Sequence, residues 1–315
     1  MSTVTIDDIY GAAARIADYV HVTPVMHSQL INARAGCDIV FKCENLQKAG
    51  AFKARGAHNA ALALTAQERA RGLATHSSGN HAAALALAAS RLDVPAFIVM
   101  PENAPASKVA AVRAYGGQIT FCESTQAARE STLEEVCAET GAAFVPPYDH
   151  PQVIAGQGTA ALELSTQLAQ PPHFLITPVG GGGLLAGSAL ASKVLWPHTQ
   201  VVGAEPAGAD DAQRSFRTGQ WHAQTAPDTL ADGLRTALGQ LNFAIIRELV
   251  DDILTVDDAA IVAAMRLVWT RMKLLVEPSA AVGLAVVLAN QALFAGKNVV
   301  IIFSGGNVDL DNLPW

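Results

Sequence analysis

Residues 177 to 190 read TPVGGGGLLAGSAL, an apolar run that enters four consecutive glycines, Gly180 to Gly183, and leaves into a segment rich in alanine and leucine. An apolar strand, a glycine turn and a helix make a βα unit. A turn without side chains lets successive backbone N–H groups close on an anion at the positive end of the helix. A turn needed only for tight packing would use one or two glycines, so four in a row predict a phosphate cup. The NTP-binding P-loop pattern fails, because Gly187 is followed by Ser188 rather than by Lys-Ser/Thr. The dinucleotide pattern G-x-G-x-x-A is met by Gly181, Gly183 and Ala186, with Glu205 ending the next strand-like run about twenty residues on. An NAD(P)- or flavin-binding protein is therefore a rival reading.

The same alternation extends outward along the chain. Strand-like runs stand at IVFKC (39–43), FIVM (97–100), QITFC (118–122), FLITPV (174–179), QVVGAE (200–205), DILTV (252–256) and NVVIIF (298–303), with helical patterns between them. This predicts an α/β protein of two domains, each an open, mostly parallel twisted sheet with helices on both faces. Glycine and proline are densest at ENLQKAG (44–50) and at PPYDHP (146–151). The expected division is a large domain from residues 1–46 and 147–315 and a small inserted domain from 47–146, with ligands bound in the cleft between them.

Composition narrows the class. At 315 residues and 50 % hydrophobic content the chain can bury a substantial core. A net charge of -7 without Lys/Arg clusters argues against nucleic acid or anionic membrane as a partner. The N-terminal MSTVTIDDIYGAAARIADYV has an acidic amphipathic pattern rather than that of a signal peptide, and no apolar run has the length of a membrane span. Cys37, Cys43, Cys122 and Cys137 form no CxxC pair and no metal-ligand spacing, which predicts reduced thiols in a cytoplasmic protein.

Three more loops carry polar hardware. In THSSGNHAAALALAAS (75–90), Ser77, Ser78, Gly79, Asn80 and His81 stand between a strand end and an alanine-rich helix. Hydroxyls and free N–H groups at a helix start suit a carboxylate, and the run exceeds what a single serine N-cap requires. No G-x-S-x-G elbow surrounds Ser78, so a Ser/His nucleophilic pair is the weaker idea. In IIFSGGNVDL (301–310), Ser304 ends an apolar strand and can offer one hydroxyl to a ligand. In VVGAEPAGADDA (201–212), Glu205 and Asp211 with a carbonyl between them can hold a hard cation such as Mg²⁺ or Ca²⁺; a solvated acidic turn is the plainer alternative.

ENLQKAGAFKARGA (44–57) adds a lysine, Lys53, among small residues. A phosphate cup, a carboxylate loop, a strand-end hydroxyl and such a lysine together meet the needs of pyridoxal 5'-phosphate with an amino acid substrate, because a partly buried lysine amine can form the Schiff base. AFKARGA, SSGNH, GGGGL, AEPAGADD, LVEPSAAVG and SGGN stand in the order seen in fold-type II (tryptophan synthase β-like) pyridoxal phosphate enzymes. Over nearly its whole length the chain resembles the serine racemase and serine/threonine dehydratase group of that family.

The resemblance implies a role for each matching residue. Lys53 is similar to the Schiff-base lysine, Phe52 to the side chain packed by the ring, and Gly180, Gly181, Gly182, Gly183 and Leu184 to the phosphate cup. Asn80 would bond the cofactor's 3-hydroxyl, Ser304 its pyridine nitrogen, and Glu277 would lie near the ring. Ser77, Ser78 and His81 would surround the substrate carboxylate. Glu205, the Ala209 carbonyl and Asp211 match the divalent-cation site (Mg²⁺, Ca²⁺ or Mn²⁺) of racemase-like members. A serine donating to a neutral pyridine nitrogen makes a moderate electron sink, which suits α-proton removal coupled to β-elimination.

The implied activity is dehydration of 3-hydroxy amino acids such as L-serine, L-threonine or 3-hydroxyaspartate to a 2-oxo acid and ammonia, by a homodimer. Serine racemase activity is the alternative, and a non-catalytic amino acid sensor is a third class. Ser78 stands where threonine dehydratases usually carry alanine; in racemase-like members it is the acid/base opposite the lysine. Tyr148 is the aromatic type more usual in dehydratases, and Ala83 stands where many relatives carry glutamine. Arg129 matches a racemase position near the cleft and can bind a second carboxylate, with a solvated helix arginine as the plainer reading. The chain ends at Trp315 soon after SGGN, so an isoleucine-binding regulatory domain is not expected.

Overall fold

The computed structural model describes residues 4–315, so the first three residues of the expected N-terminal pattern and of the large domain lie outside it. Among the described residues ten strands form two sheets. The larger contains β1 (Val25–His27), β2 (Asp38–Cys43), β7 (Phe174–Pro178), β8 (Gln200–Pro206), β9 (Asp252–Val256) and β10 (Asn298–Phe303), in the order β1-β2-β10-β7-β8-β9. The smaller contains β3 (Leu73–His76), β4 (Ala96–Pro101), β5 (Gln118–Cys122) and β6 (Ala143–Phe144), in the order β5-β4-β3-β6. Every pairing is parallel except that of β1 with β2.

The helices are α1 (Ile6–Ile16), α2 (Gln29–Ala35), α3 (Lys53–Ala63), α4 (Ala66–Ala70), α5 (Asn80–Arg91), α6 (Ala106–Ala114) and α7 (Gln126–Thr140). They continue with α8 (Pro151–Gln167), α9 (Gly183–Leu195), α10 (Asp211–Thr218), α11 (Gln240–Leu249), α12 (Asp258–Met272), α13 (Pro278–Ala289) and α14 (Gln291–Phe294). Local chemistry sets several starts. Thr5 and Asp8 form a capping box on α1, and His150 accepts the Gln152 N–H ahead of Pro151 at the first turn of α8.

Parallel strands covered on both faces are near-continuous apolar runs, and β7 is buried at all five positions, Thr177 being its one polar residue. One core of the large sheet joins Phe41, Phe303 and Phe294 to α12 and α13; the other joins Leu175 and Val300 to α1, α8, α9 and α11. The small sheet is faced by α3 and α5 on one side and by α7 on the other. The seven apolar runs read from the sequence are all strands, with bounds within one residue. β1 and β6, of three and two residues, were not expected, being too short to show a period; β3 is the strand whose end was expected ahead of Ser77. No helix among the described residues is long and apolar enough to cross a membrane, and all four cysteines are free thiols.

Candidate active site

The carboxyl ends of β10 and β2 lead into two loops that zip together. Ala51 bridges Gly305, the Phe52 N–H donates to the Ser304 carbonyl at 2.9 Å, and the Gly306 N–H donates to the Gly50 carbonyl at 2.9 Å. Asn307 Nδ2 adds a bond to the Ala49 carbonyl at 2.8 Å. This pairing fixes the start of α3, and with it Lys53, beside buried Ser304.

Two residues further along α3, Arg55 is fully buried and donates to Glu44 from Nε at 2.7 Å and to Glu163 from a terminal nitrogen at 2.6 Å. Lys42 also reaches Glu163, at 2.5 Å. Buried charges persist only when paired and hydrogen-bonded, so this cluster welds α3 to β2 and α8. Lys53 itself points its ammonium at the Pro147 carbonyl, 2.6 Å away, between the rings of Phe52 and Tyr148 at 5.1 and 5.8 Å. Burial pulls its pKa down to about 8, against the opposing pull of Glu277. A lysine so placed is a nucleophilic amine close to neutral pH.

Facing it, Gly180 to Gly183 turn from β7 into α9. Gly182 has φ +92°, open to glycine at no cost, and α9 begins without any side-chain cap. Side chains are excluded from the turn by crowding: a Cβ at Gly180 would lie 2.9 Å from Leu234 Cα, one at Gly182 2.7 Å from Leu238 Cδ1, and one at Gly181 would enter the Tyr148 ring. Among the described residues no acceptor takes the Gly181 or Gly182 N–H. A free fan of amides at a helix start is an anion site.

The second helix start is likewise unspent. Gly79 is the N-cap of α5 and makes no side-chain cap bond, so neither serine is used for capping; Ser77 Oγ accepts only the Gly79 N–H, at 3.3 Å. Ser78 is half-buried in the same loop. His81 is tied to the Val145 carbonyl through Nε2 at 3.0 Å, which leaves Nδ1 without a partner. Burial drops its pKa to about 3, so the ring is neutral and brings no charge to a carboxylate. Ala83 lies in the buried face of α5.

Asn80 donates to Glu277 at 2.8 Å and accepts from Asn307 Nδ2 at 2.9 Å. Burial, reinforced by Asp232, raises the Glu277 pKa to about 7. Arg129, in the first turn of α7, is half-buried, and its Nε is buried without a partner among the described residues. Lys108 of α6 forms an ion pair with Asp232, joining the helix layer of the small sheet to the large one.

Glu205 accepts the Ala212 and Gln213 N–H groups at 2.9 and 2.8 Å, and Asp211 accepts the Leu238 N–H at 2.8 Å. Both carboxylates are fully buried, and burial raises both pKa values, that of Glu205 to about 9. Ala209 is buried beside them in a short 3-10 turn. Among the described residues no cluster of three or more Asp, Glu, His or Cys side chains stands ready for a metal, so a cation here would rely on two carboxylates and a carbonyl.

Pro147, Asn242, Lys108 and Asp232 were not singled out from the sequence. Their contacts span 94, 61 and 124 residues of chain, and only the polar run PPYDHP signalled that its neighbourhood mattered.

A partly buried amine, a glycine turn whose Gly181 and Gly182 N–H groups take no acceptor among the described residues, and a polar helix start fit pyridoxal phosphate, whose phosphate needs a glycine cradle and whose aldehyde needs a lysine. Residues 16–305 match the family model described as pyridoxal-phosphate dependent enzyme, and the chain belongs to that family. It is 48 % identical over 311 residues to the beta-hydroxyaspartate dehydratase of Paracoccus denitrificans, covering 99 % of this chain and 98 % of that one. It is 50 % identical to the L-threo-3-hydroxyaspartate ammonia-lyase of Saccharomyces cerevisiae, over 98 % of this chain and 95 % of the other. The solved structure of maize serine racemase superimposes with a TM-score of 0.96 at 47 % identity, covering 98 % of this chain and 95 % of that chain. The dinucleotide reading of the glycine turn gives way to these matches over nearly the whole chain.

Proposed function

We propose that this chain is a dehydratase of 3-hydroxy amino acids that releases a 2-oxo acid and ammonia, with serine racemisation as a second activity. The observation that carries the reading is Lys53, an amine of pKa about 8 opposite a glycine turn with free N–H groups. Pyridoxal phosphate supplies, when bound, the electron sink for charge that develops at the substrate Cα.

Lys53 is the attachment residue and then, as a free amine, the base that takes the Cα proton at Nζ. Gly180 to Gly183 and Leu184 hold the phosphate, and Phe52 packs the ring. Asn80, held by Glu277 and Asn307, orients one ring edge. The Ser304 hydroxyl donates to the ring nitrogen, which keeps the sink moderate. Ser77, Ser78 and the N–H groups opening α5 bind the substrate carboxylate, and neutral His81 packs behind them. Tyr148, wedged between Lys53 and Gly181, limits room for water. Ser78 is the acid/base of the opposite face, which supports the racemase reading.

Arg129 supports a finer assignment. Its buried, unpartnered Nε suits a second carboxylate, and two relatives carry hydroxyaspartate in their names. On this reading 3-hydroxyaspartate is preferred over serine and threonine. A divalent cation at Glu205, the Ala209 carbonyl and Asp211 would neutralise two buried carboxylates that otherwise face only backbone amides and one side-chain amide. The inserted domain of 47–146, a homodimeric state and a cytoplasmic setting complete the reading.

The test is a panel of L-serine, L-threonine and 3-hydroxyaspartate scored for 2-oxo acid, ammonia and enantiomer. Release of 2-oxo acid that is highest with 3-hydroxyaspartate is expected. Cofactor binding without ammonia from any of the three would leave the sensor class instead.

A further inference from the structure

We propose that Asn242 is a positioning residue of the glycine turn: by holding the Gly181 carbonyl it turns the Gly182 N–H into the phosphate cup. The inference rests on the cup reading above and assigns one residue within it. Asn242 is fully buried on the first turn of α11, away from the reacting groups. Its Nδ2 donates to the Gly181 carbonyl at 2.6 Å, and the Gly239 N–H donates to the same oxygen at 3.1 Å.

In a trans peptide the carbonyl and the following N–H point in opposite directions. Two donors from the start of α11 therefore hold the Gly181 oxygen on the outside of the turn and direct the Gly182 N–H to the opposite side. The Gly182 Cα packs directly on this helix, since a Cβ there would lie 2.7 Å from Leu238 Cδ1 and 2.9 Å from Asn242 Cβ. With φ +92°, glycine at 182 has little intrinsic resistance to a peptide flip. The flip would turn a carbonyl oxygen, in place of an N–H, toward a phosphate.

Capping does not explain the side chain. Asp149 caps α11 from a distant loop, accepting the Asn242 N–H at 3.0 Å and the Leu241 N–H at 3.4 Å. Asp149 follows Tyr148, whose ring covers Gly181, so the same loop clamps the turn on its other side. The Asn242 amide is left with one hydrogen bond, to Gly181, and an unpartnered Oδ1. A group buried at that cost and bonded only to a turn carbonyl serves the turn.

The test compares two aldehydes that differ only in the phosphate. Cofactor-free protein is titrated separately with pyridoxal 5'-phosphate and with pyridoxal, following the visible absorbance of the lysine adduct. For Asn242→Leu, affinity for pyridoxal 5'-phosphate is expected to fall about tenfold, the scale of one hydrogen bond to a charged acceptor, with pyridoxal affinity unchanged. Asn242→Ala, which cannot overpack, should show the same selective loss. Equal losses for both aldehydes, or no loss for either, overturn the inference while the cup reading stands. A wild-type protein that binds both aldehydes equally well overturns the cup reading itself, and the inference with it.

Discussion

Gly156 of α8 crosses Gly56 of α3 so closely that a Cβ at 156 would sit 2.6 Å from the Gly56 Cα and 2.8 Å from the Arg55 carbonyl oxygen. Two residues on, a Cβ at Gly158 would lie 2.8 Å from the carbonyl oxygen of Gly187 in α9. One helix thus sets the distance between the helix that carries Lys53 and the helix whose start is the phosphate cup. Gly156→Ala must push two backbones apart, an overpacking cost of about 1–3 kcal/mol. It is expected to lower the unfolding midpoint and to weaken binding of pyridoxal phosphate. Gly11→Ala, at a helix position with open space around it, is the control and should lose nothing. Denaturant unfolding with and without cofactor checks both.

A substitution at Ser78 tests the two proposed activities separately. The residue is half-buried in a loop where no capping duty claims it. Ser78→Ala is expected to abolish D-serine formation from L-serine while 2-oxo acid release falls by less than about a hundredfold, the low end of a general acid/base contribution. Chiral chromatography of the remaining serine reads the first quantity and a coupled dehydrogenase assay the second. Unchanged D-serine formation would remove Ser78 from the opposite-face role.

Glu205 and Asp211 are buried with backbone amides and the Gln224 side chain as their partners, and the Asp211 carboxylate touches the same α11 approach that grips Gly181. A chelator is expected to lower the unfolding midpoint, and Mg²⁺ or Ca²⁺ to restore it. Glu205→Gln should keep the backbone bonds to one oxygen and lose the response to cation. Differential scanning calorimetry across a cation titration reads it, and an identical response in the variant would place any cation elsewhere.

Much of this was legible before any coordinates. The central strands announced themselves because a parallel strand buried on both faces is mostly apolar, as 174–178 and 299–303 are, with Thr177 the one polar residue among them. The glycine turn was legible because four consecutive glycines exceed the one or two that a tightly packed turn uses. The rest depended on contacts no local pattern encodes. Asn242 in FAIIREL's preceding turn looks like any helix-start asparagine until the fold sets it against Gly181. His81 read as a polar ligand for a carboxylate; its Nε2–H donates to the Val145 carbonyl and burial keeps the ring neutral, which the sequence does not show. Arg129 read first as a solvated helix arginine and second as a binding group; its Nε is buried without a partner among the described residues, which no pattern in the sequence announces.

The central claim is that Lys53 is the attachment lysine, and borohydride trapping tests it most directly. Protein loaded with pyridoxal phosphate, reduced with borohydride, digested and mapped by mass spectrometry should carry the pyridoxyl group on Lys53. Because only the unprotonated amine attacks an aldehyde, the rate of loading should rise with pH through a midpoint near pH 8 and level off above it, below the range of an ordinary lysine. Lys53→Ala should bind no cofactor covalently and turn over none of the three substrates. A label on another lysine, or full activity in Lys53→Ala, would contradict the account.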